Sequence, residues 1–539
     1  MSLEMPTREA DSRCSRIAAA ALAAFGLAVW MNSAWLSDDA FITFRTVANV
    51  WAGYGLRWNI IERVQTYTHP LWLAALTLGY GVSREVYWST LVLSLLCTVG
   101  AVYLLWRHVA RAALVAALTL ALLAGSRAFV EYSSSGLENP LTHLLIVLFW
   151  IQLSTNGLLA QTTLFSLCAL TRMDATLMIA PSLGLSVWKG WTPRSLRDLA
   201  AGLSPLVAWE CFSVFYYGFP WPNTAYAKLA TQIPARELIA QGLRYLADSL
   251  SRDYITLPAV LVAIVFALRR GTRNGAMAAG LLLQLAYIVW VGGDFMTGRF
   301  LSAAFVLSVC FLGSIVRPTH SAGWLCAGVL GLGFLAPGSP LRLWTRPQSG
   351  AVPLVQFGGI ADERAFYYPS TGLVPVLSGA RPTDFPWAQV GISLQRARDI
   401  VVTDHIGMIG FYAGPAPHIV DVLALSDPLL ARLPARPGWR IGHFYRDVPA
   451  GYEDSLRQCL QRLFPNRRVF PTDVTCLDFD GATNRIADPA LLAYYEVLRT
   501  ATQGPLTSGR RMSAIVRLNL GLIGPHSPAR LDMPDPSTK

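Results

Sequence analysis

Two adjacent carboxylates, Asp38 and Asp39, directly follow the first long apolar run of the chain, in Asp38–Asp39–Ala40–Phe41–Ile42–Thr43–Phe44–Arg45. Charges at the mouth of a membrane helix are costly unless solvated, paired or bound to a cation. Such a pair can act as a general base on a hydroxyl or as a divalent-cation site. The competing reading is a plain stop signal for the membrane. Arg45 places a counter-charge on the same segment.

Further polar clusters recur between apolar runs. Trp58, Asn59, Glu62, Tyr67 and His69 lie within Gly53–Trp72. Aromatic faces pack on sugar rings, and the mixed polar groups bind hydroxyls. Aromatic residues alone would only form an interfacial belt. Glu138 stands in Ser135–Pro140, Arg172 in Thr171–Asp174, Asn223, Tyr226 and Lys228 in Tyr216–Lys228, and Asp294 and Arg299 in Gly292–Arg299. Each loop alone is weak evidence, since ion pairs at helix ends are common. Their alternation with the apolar runs puts them all on one membrane face.

The elements that must position these groups are membrane helices. Of the 539 residues, 53% are hydrophobic and 14% charged, and the chain has 17 Trp. A soluble globular chain carries roughly 25% charged residues. This excludes a soluble enzyme, a disordered chain and a coiled coil. Eleven candidate spans lie at about 17–36, 86–106, 112–129, 137–153, 157–171, 175–188, 198–217, 254–268, 275–291, 300–316 and 321–336. Several fall short of the ~20 residues of a perpendicular crossing. His69–Tyr80 is apolar but short and reads as interfacial or re-entrant.

The net charge of +11 does not indicate nucleic acid, because no Lys/Arg run exceeds two residues and many flank the spans. With the N-terminus in the cytoplasm, the inside segments hold 12 Lys/Arg in about 43 residues and the outside loops 10 in about 103. This predicts a multi-pass plasma-membrane protein whose polar loops and C-terminal domain lie outside the cytoplasm.

Residues 1–336 carry 23 Lys/Arg and 16 Asp/Glu, against 21 and 17 in the shorter stretch 337–539, so a soluble domain is expected after the membrane domain. The expected divisions are a transmembrane catalytic domain over 1–336 with a first outer loop at 37–85, a soluble α/β domain over 337–504, and a peripheral tail over 505–539. Asp399–Asp404 and His418–Val422 read as strands, with a turn and helix over His405–Tyr412. Cys459 and Cys476, the two cysteines of this domain, are expected to form a disulfide in an oxidising compartment.

A transferase working outside the cytoplasm has no nucleotide sugar and needs a lipid-linked sugar phosphate. Asp38 or Asp39 would take the acceptor proton, while Lys228, Arg299 and Arg172 would hold the departing phosphate. Lys228 is distinctive because the chain has 41 Arg and only 3 Lys. No cofactor is required by the sequence, although a divalent cation is compatible with the carboxylates. A flippase would need charges at the bilayer midplane; here they gather at one face, with Glu210 the clearest exception. A hydrolase of lipid-linked sugar would also use paired carboxylates.

The segments DDAFITFR, GYGLRWN with ERVQTYTHPLW, SGLENPL, LTRMDA, YYGFPWPNTAYAKL and GGDFMTGRF resemble the GT-C superfamily of polyprenyl-phosphate glycosyltransferases. They are most similar to the terminal arabinofuranosyltransferases of actinobacterial cell walls. DERAFYYPSTGL, GMIGFYAGP, ALSDPLLARLP and WRIGHFYRDVPAGY extend that similarity into the C-terminal part. The resemblance implies a GT-C fold, with about 11 transmembrane helices and a C-terminal α/β extracytoplasmic domain. It implies a decaprenylphosphoryl-β-D-arabinofuranose donor, a terminal β-(1→2) product and an essential Asp in the first outer loop, carried here onto Asp38 and Asp39. Tyr368, His405 and His443 join Arg45, Trp58, Asn59, Glu62, Tyr67, His69, Glu138, Asn223, Tyr226 and Asp294 as sugar- or acceptor-binding candidates. The acceptor would be a cell-surface glycan or glycolipid. A hexose donor, or a surface protein such as pilin as acceptor, would leave the chemistry unchanged.

Overall fold

The structure is a computed structural model of the chain and describes residues 13–110, 112–155, 157–343, 357–397, 399–463 and 484–525. Its α-helices are, in order, α1 (Arg13–Ser33), α2 (Asp38–Trp51), α3 (Pro70–Ser83), α4 (Val86–Leu104), α5 (Ala113–Gly125), α6 (Arg127–Tyr132), α7 (Asn139–Gln152) and α8 (Leu158–Ala169). There follow α9 (Thr176–Lys189), α10 (Pro193–Tyr217), α11 (Asn223–Leu229), α12 (Ala235–Arg252), α13 (Thr256–Leu268), α14 (Thr272–Trp290), α15 (Ser302–Ile315) and α16 (His320–Leu335). The remainder are α17 (Glu363–Thr371), α18 (Leu373–Leu377), α19 (Pro386–Leu394), α20 (Met408–Ala413), α21 (Tyr452–Leu463), α22 (Pro489–Gln503) and α23 (Gly509–Asn519).

All eleven apolar runs are helical. Among the described residues, Val86–Val109 and Pro193–Tyr217 are each long and apolar enough to cross a membrane, and two bent pairs raise that number to four. One pair is α12 and α13, which meet at 108°. Most other apolar helices are shorter; 14 residues rise only ~21 Å, against a hydrocarbon core of ~30 Å. The chain is a helical membrane protein in which most apolar helices are too short for a perpendicular crossing. The segment after His69, expected as interfacial or re-entrant, is helix α3.

The chain forms two compact units that are not consecutive in sequence. One comprises residues 1–40, 69–207 and 234–385, and the other 41–68, 208–233 and 386–539. The expected boundary at 336 is therefore not where the units divide. Residues 357–385 belong to the first unit, while much of the first outer loop belongs to the second.

In the first unit, α9 packs on α14, α5 on α16, α4 on α7, and α15 against α5, α7 and α13. Helix α15 is apolar on every face, and Phe305, Val306, Leu307, Val309 and Phe311 are all buried. A helix without a polar face belongs at the centre of a bundle. The segment before α17 joins this unit through the backbone: Ala361 pairs in parallel with Met296, its N–H donating to Phe295 O at 2.6 Å and its carbonyl accepting from Thr297 N at 3.1 Å. A charged layer backs this pairing. Arg127 bonds Glu131 at 2.6 Å and Asp362 at 2.5 Å, and Arg364 bonds Glu131 at 3.0 Å.

The second unit contains the expected strand–helix–strand. Strands β1 (Ile400–Thr403) and β2 (His418–Asp421) run parallel, with Ile400 opposite His418 and Thr403 opposite Asp421, connected through α20. Its core gathers Val420, Leu429, Leu430, Tyr452, Leu456, Tyr495 and Leu498. The stretch from 505, expected as a peripheral tail, instead contains α23, which packs on α22. Arg511 of α23 is fully buried and donates to the carbonyls of Ala501, Phe215 and Tyr216 at 2.9, 2.7 and 2.9 Å. The expected Cys459–Cys476 disulfide falls on side chains outside the described residues.

Candidate active site

Asp38 and Asp39 open α2, where the helix dipole favours negative charge. Successive helical residues diverge by about 100°, so the two carboxylates do not share a direction. Asp38 is 9% exposed, whereas the Asp39 side chain is 27% exposed. Asp39 is thus the more accessible. Its Oδ2 lies 3.9 Å from Arg299 Nη1.

Arg299 follows a loop bent by glycines. Gly293 has φ +76°, and a Cβ there would lie 2.5 Å from the Tyr245 Cβ; Gly298 has φ +72°. Only glycine takes such backbone without strain. The loop turns Asp294 inward, its Oδ2 3.7 Å from Arg299 Nη1. Tyr245 holds the exit of the loop, its hydroxyl accepting from Phe300 N at 3.0 Å and donating to Met296 O at 3.3 Å.

Glu138, 1% exposed, is the hub. Its Oε1 accepts from Arg299 Nη2 at 3.3 Å and Arg172 Nη1 at 3.1 Å, and its Oε2 lies 3.3 Å from His69 Nδ1. Arg299, Arg172 and His69 thus surround the buried Glu138 carboxyl and compensate its loss of solvent. Burial lowers the His69 pKa against the pull of Glu138. Arg172 is clasped by Asp174, at 2.8 and 3.2 Å, and packs over the Phe300 ring at 4.9 Å. Gln284 donates to Asp174 at 3.2 Å.

Asp39, His69, Glu138, Arg172, Asp294 and Arg299 are therefore one network of the first unit, four or more of them far apart in sequence. Asp174 was visible in the sequence as a neutraliser of Arg172. Gln284 and Phe300 carried no signal beyond lying in helical runs. Among the described residues, no three His, Cys, Asp or Glu side chains are grouped to hold a metal ion.

Tyr368 is also in the first unit but serves the scaffold. It is buried and its hydroxyl donates to Asn32 O at 2.5 Å.

The remaining candidates lie in the second unit, and several are structural there. Arg45 is 1% exposed and lies over the Trp58 ring at 4.1 Å. It donates to the carbonyls of Trp58, Gly410 and Pro417 at 2.9, 3.0 and 3.1 Å. Asn59 bonds both backbone polar groups of Ile419, at 3.0 and 3.2 Å, beside the buried Glu62. Tyr67 and Tyr217 share a 2.6 Å hydroxyl contact. Asn223 donates to the carbonyls of Ala424, Leu425 and Asp427, and Tyr226 packs under Arg432 at 4.4 Å. Folding has committed these groups to backbone and core, which the mixed aromatic–polar pattern did not reveal.

His405 and His443 remain only partly buried, as does Lys228 at the end of α11. His405 packs against Trp387 with ring centroids 3.9 Å apart and bonds Asp404 at 2.5 Å, while Tyr445 donates to the other Asp404 oxygen. The hydrogen bond from His405 holds Asp404 down at about 2. Trp387, Asp404 and Tyr445 were missed by the sequence reading, although Asp404 adjoins His405.

A helical membrane protein with a buried carboxylate–arginine network opening at one Asp is suited to group transfer at a membrane surface. Comparisons with known proteins agree with that class. The chain is 26% identical over 519 aligned residues to the terminal β-(1→2)-arabinofuranosyltransferase of Mycobacterium tuberculosis, covering 78% of this chain and 82% of the relative. It is 25% identical over 525 residues to the enzyme of the same name from Corynebacterium glutamicum, covering 79% and 75%. The chain is thus a homologue of glycosyltransferases along most of its length, as its motifs indicated. No protein-family model matches it. Among solved structures it is similar to ArnT from Cupriavidus metallidurans in the apo state, with TM-score 0.46 and 12% identity, covering 75% of this chain and 86% of that one. The same protein bound to undecaprenyl phosphate gives TM-score 0.46 and 14% identity, covering 74% and 85%.

Proposed function

We propose that this chain transfers a sugar, D-arabinofuranose, from a polyprenyl-phosphate donor to a hydroxyl of a cell-surface glycan. The observation that carries the reading is the approach of partly exposed Asp39 to Arg299 within a buried acid–base network. The relatives are named for arabinofuranosyl transfer, which supports the sugar.

In this reading Asp39 accepts the proton of the acceptor hydroxyl as the new glycosidic bond forms. Arg299 stabilises the phosphate as the bond to the anomeric carbon breaks, and its planar fork suits phosphate oxygens. Arg172, clasped by Asp174 and Glu138, orients Glu138 rather than meeting the phosphate. Asp294 and Glu138 hold Arg299 ready beside Asp39. His405, His443 and Lys228, all of the second unit, are the candidates for contact with the acceptor.

The test is incubation of the purified protein with labelled polyprenyl-phospho-arabinofuranose and a panel of glycan acceptors. Labelled acceptor is expected with wild type and lost with Asp39→Asn. Release of free arabinose without acceptor labelling, or transfer from hexose donors alone, would overturn the reading.

A further inference from the structure

An apolar cavity of the first unit lies away from the Asp39–Arg299 network. It encloses about 530 Å³ between α8, α9 and the start of α10, lined by Phe165, Leu183, Gly184, Val187, Trp188 and Trp191. Its lining is almost wholly apolar. Trp188 and Trp191 are 78% and 58% exposed, and interfacial tryptophan marks the headgroup level of a bilayer.

Basic residues flank the lining segments in sequence. Lys189 adjoins Trp188, and Arg194 and Arg197 stand three residues apart on one face of α10. Lys189 Nζ donates to Thr272 Oγ1 at 2.9 Å, bringing up the segment with Arg269, Arg270 and Arg273. These two segments hold six basic residues against one carboxylate, Asp198, which is 3.7 Å from Arg197. Helix α9 begins two residues after Asp174 and runs 14 residues to Lys189, a rise of ~21 Å. A molecule seated here is therefore remote from the reacting groups.

We propose that this cavity binds one anionic phospholipid, with an acyl chain between α8, α9 and α10 and its phosphodiester on Lys189, Arg194 and Arg197. Charge complementarity selects the headgroup, since basic pockets between membrane helices retain anionic lipids over zwitterionic ones. The apolar volume selects a lipid over a free phosphate. The distance along α9 separates it from the sugar donor.

Gly184 supplies a variant that tests the cavity without disturbing the helix. A Cβ at Gly184 meets nothing within 4 Å, so Gly184→Leu fills the space and also favours the helix. Full-length protein would be incorporated in nanodiscs containing phosphatidylglycerol or phosphatidylcholine, extracted in mild detergent and weighed by native mass spectrometry. Wild type is expected to retain one phosphatidylglycerol and no phosphatidylcholine. Gly184→Leu should lose it, and the triple variant Lys189→Ala, Arg194→Ala, Arg197→Ala should weaken retention on the order of a hundredfold. Equal retention of both lipids, unchanged retention in Gly184→Leu, or a polyprenyl phosphate adduct in place of the phospholipid would overturn the proposal.

Discussion

Arg299 Nη2 lies 3.3 Å from Glu138 Oε1, so the arginine that approaches Asp39 is anchored on a carboxylate that solvent hardly reaches. The accessible end of the network is tied to a buried counter-ion, and each can be probed separately.

Asp39→Asn should reduce turnover by roughly 10²–10⁴, the usual contribution of a positioned base. Asp38→Asn should cost less, because Asp38 is the more buried of the two and Asp39 is the one that reaches Arg299. Steady-state kinetics on the two variants, with folding checked by thermal melting, makes the comparison. A larger loss in Asp38→Asn would reassign the base.

Glu138→Gln leaves Arg172 and Arg299 facing each other with less compensation. Breaking a buried ion pair from one side typically costs ~3–5 kcal/mol. A clear fall in the melting temperature is expected, together with loss of activity. A variant as stable as wild type would show that the hub is not electrostatic.

Arg299→Ala and Arg172→Ala should separate by phenotype. The first is expected to impair donor use through KM, kcat or both at modest structural cost. The second should chiefly destabilise, because it frees both Asp174 and Glu138. An effect of Arg299→Ala confined to acceptor KM would contradict the phosphate role.

Two buried carboxyls of the second unit contribute to its pH response. Burial raises Asp421 to about 7 against the donated N–H groups of Ser426 and Leu423, and raises Asp427 to about 6. The unfolded chain ionises both near pH 4. Folding therefore takes up protons at these groups above that pH, and their contribution to stability falls as pH rises toward 7. Burial holds His418 and His443 at about 3, and these give the opposite slope below pH 6.5, so thermal unfolding at pH 5 and pH 8 should show Asp421→Asn losing less stability with pH, or gaining more, than wild type. An unchanged slope in the variant would exclude Asp421 as its source.

The apolar runs were legible because a membrane helix declares itself by composition, and the strands around α20 because short Val/Ile runs are bounded by polar and turn residues. The Asp39–Arg299 network was legible only as a set of polar loops on one face. Which members touch depends on long-range packing, so Glu138 gave no sign of being the hub. Arg45 misled for a related reason. An arginine among aromatics resembles a sugar contact, yet its donors are taken by carbonyls of residues 58, 410 and 417. Sequence spacing cannot reveal a partner more than 300 residues away.

The pairing of Ala361 with Met296 also limits how this protein can be rearranged by recombination. A crossover near residue 336, where composition changes, would bring a foreign segment against the loop that carries Asp294 and Arg299. Chimaeras inheriting residues 357–385 with the N-terminal part should keep that loop intact. Those exchanging at 336 would need a donor sequence that reproduces the Ala361 backbone bonds and the Asp362 carboxylate. Inheritance of the active loop thus extends beyond the apparent end of the membrane domain, and an exchange after 385 would in turn have to preserve the bonds that Arg45, Asn59 and Asn223 make to residues 410–427.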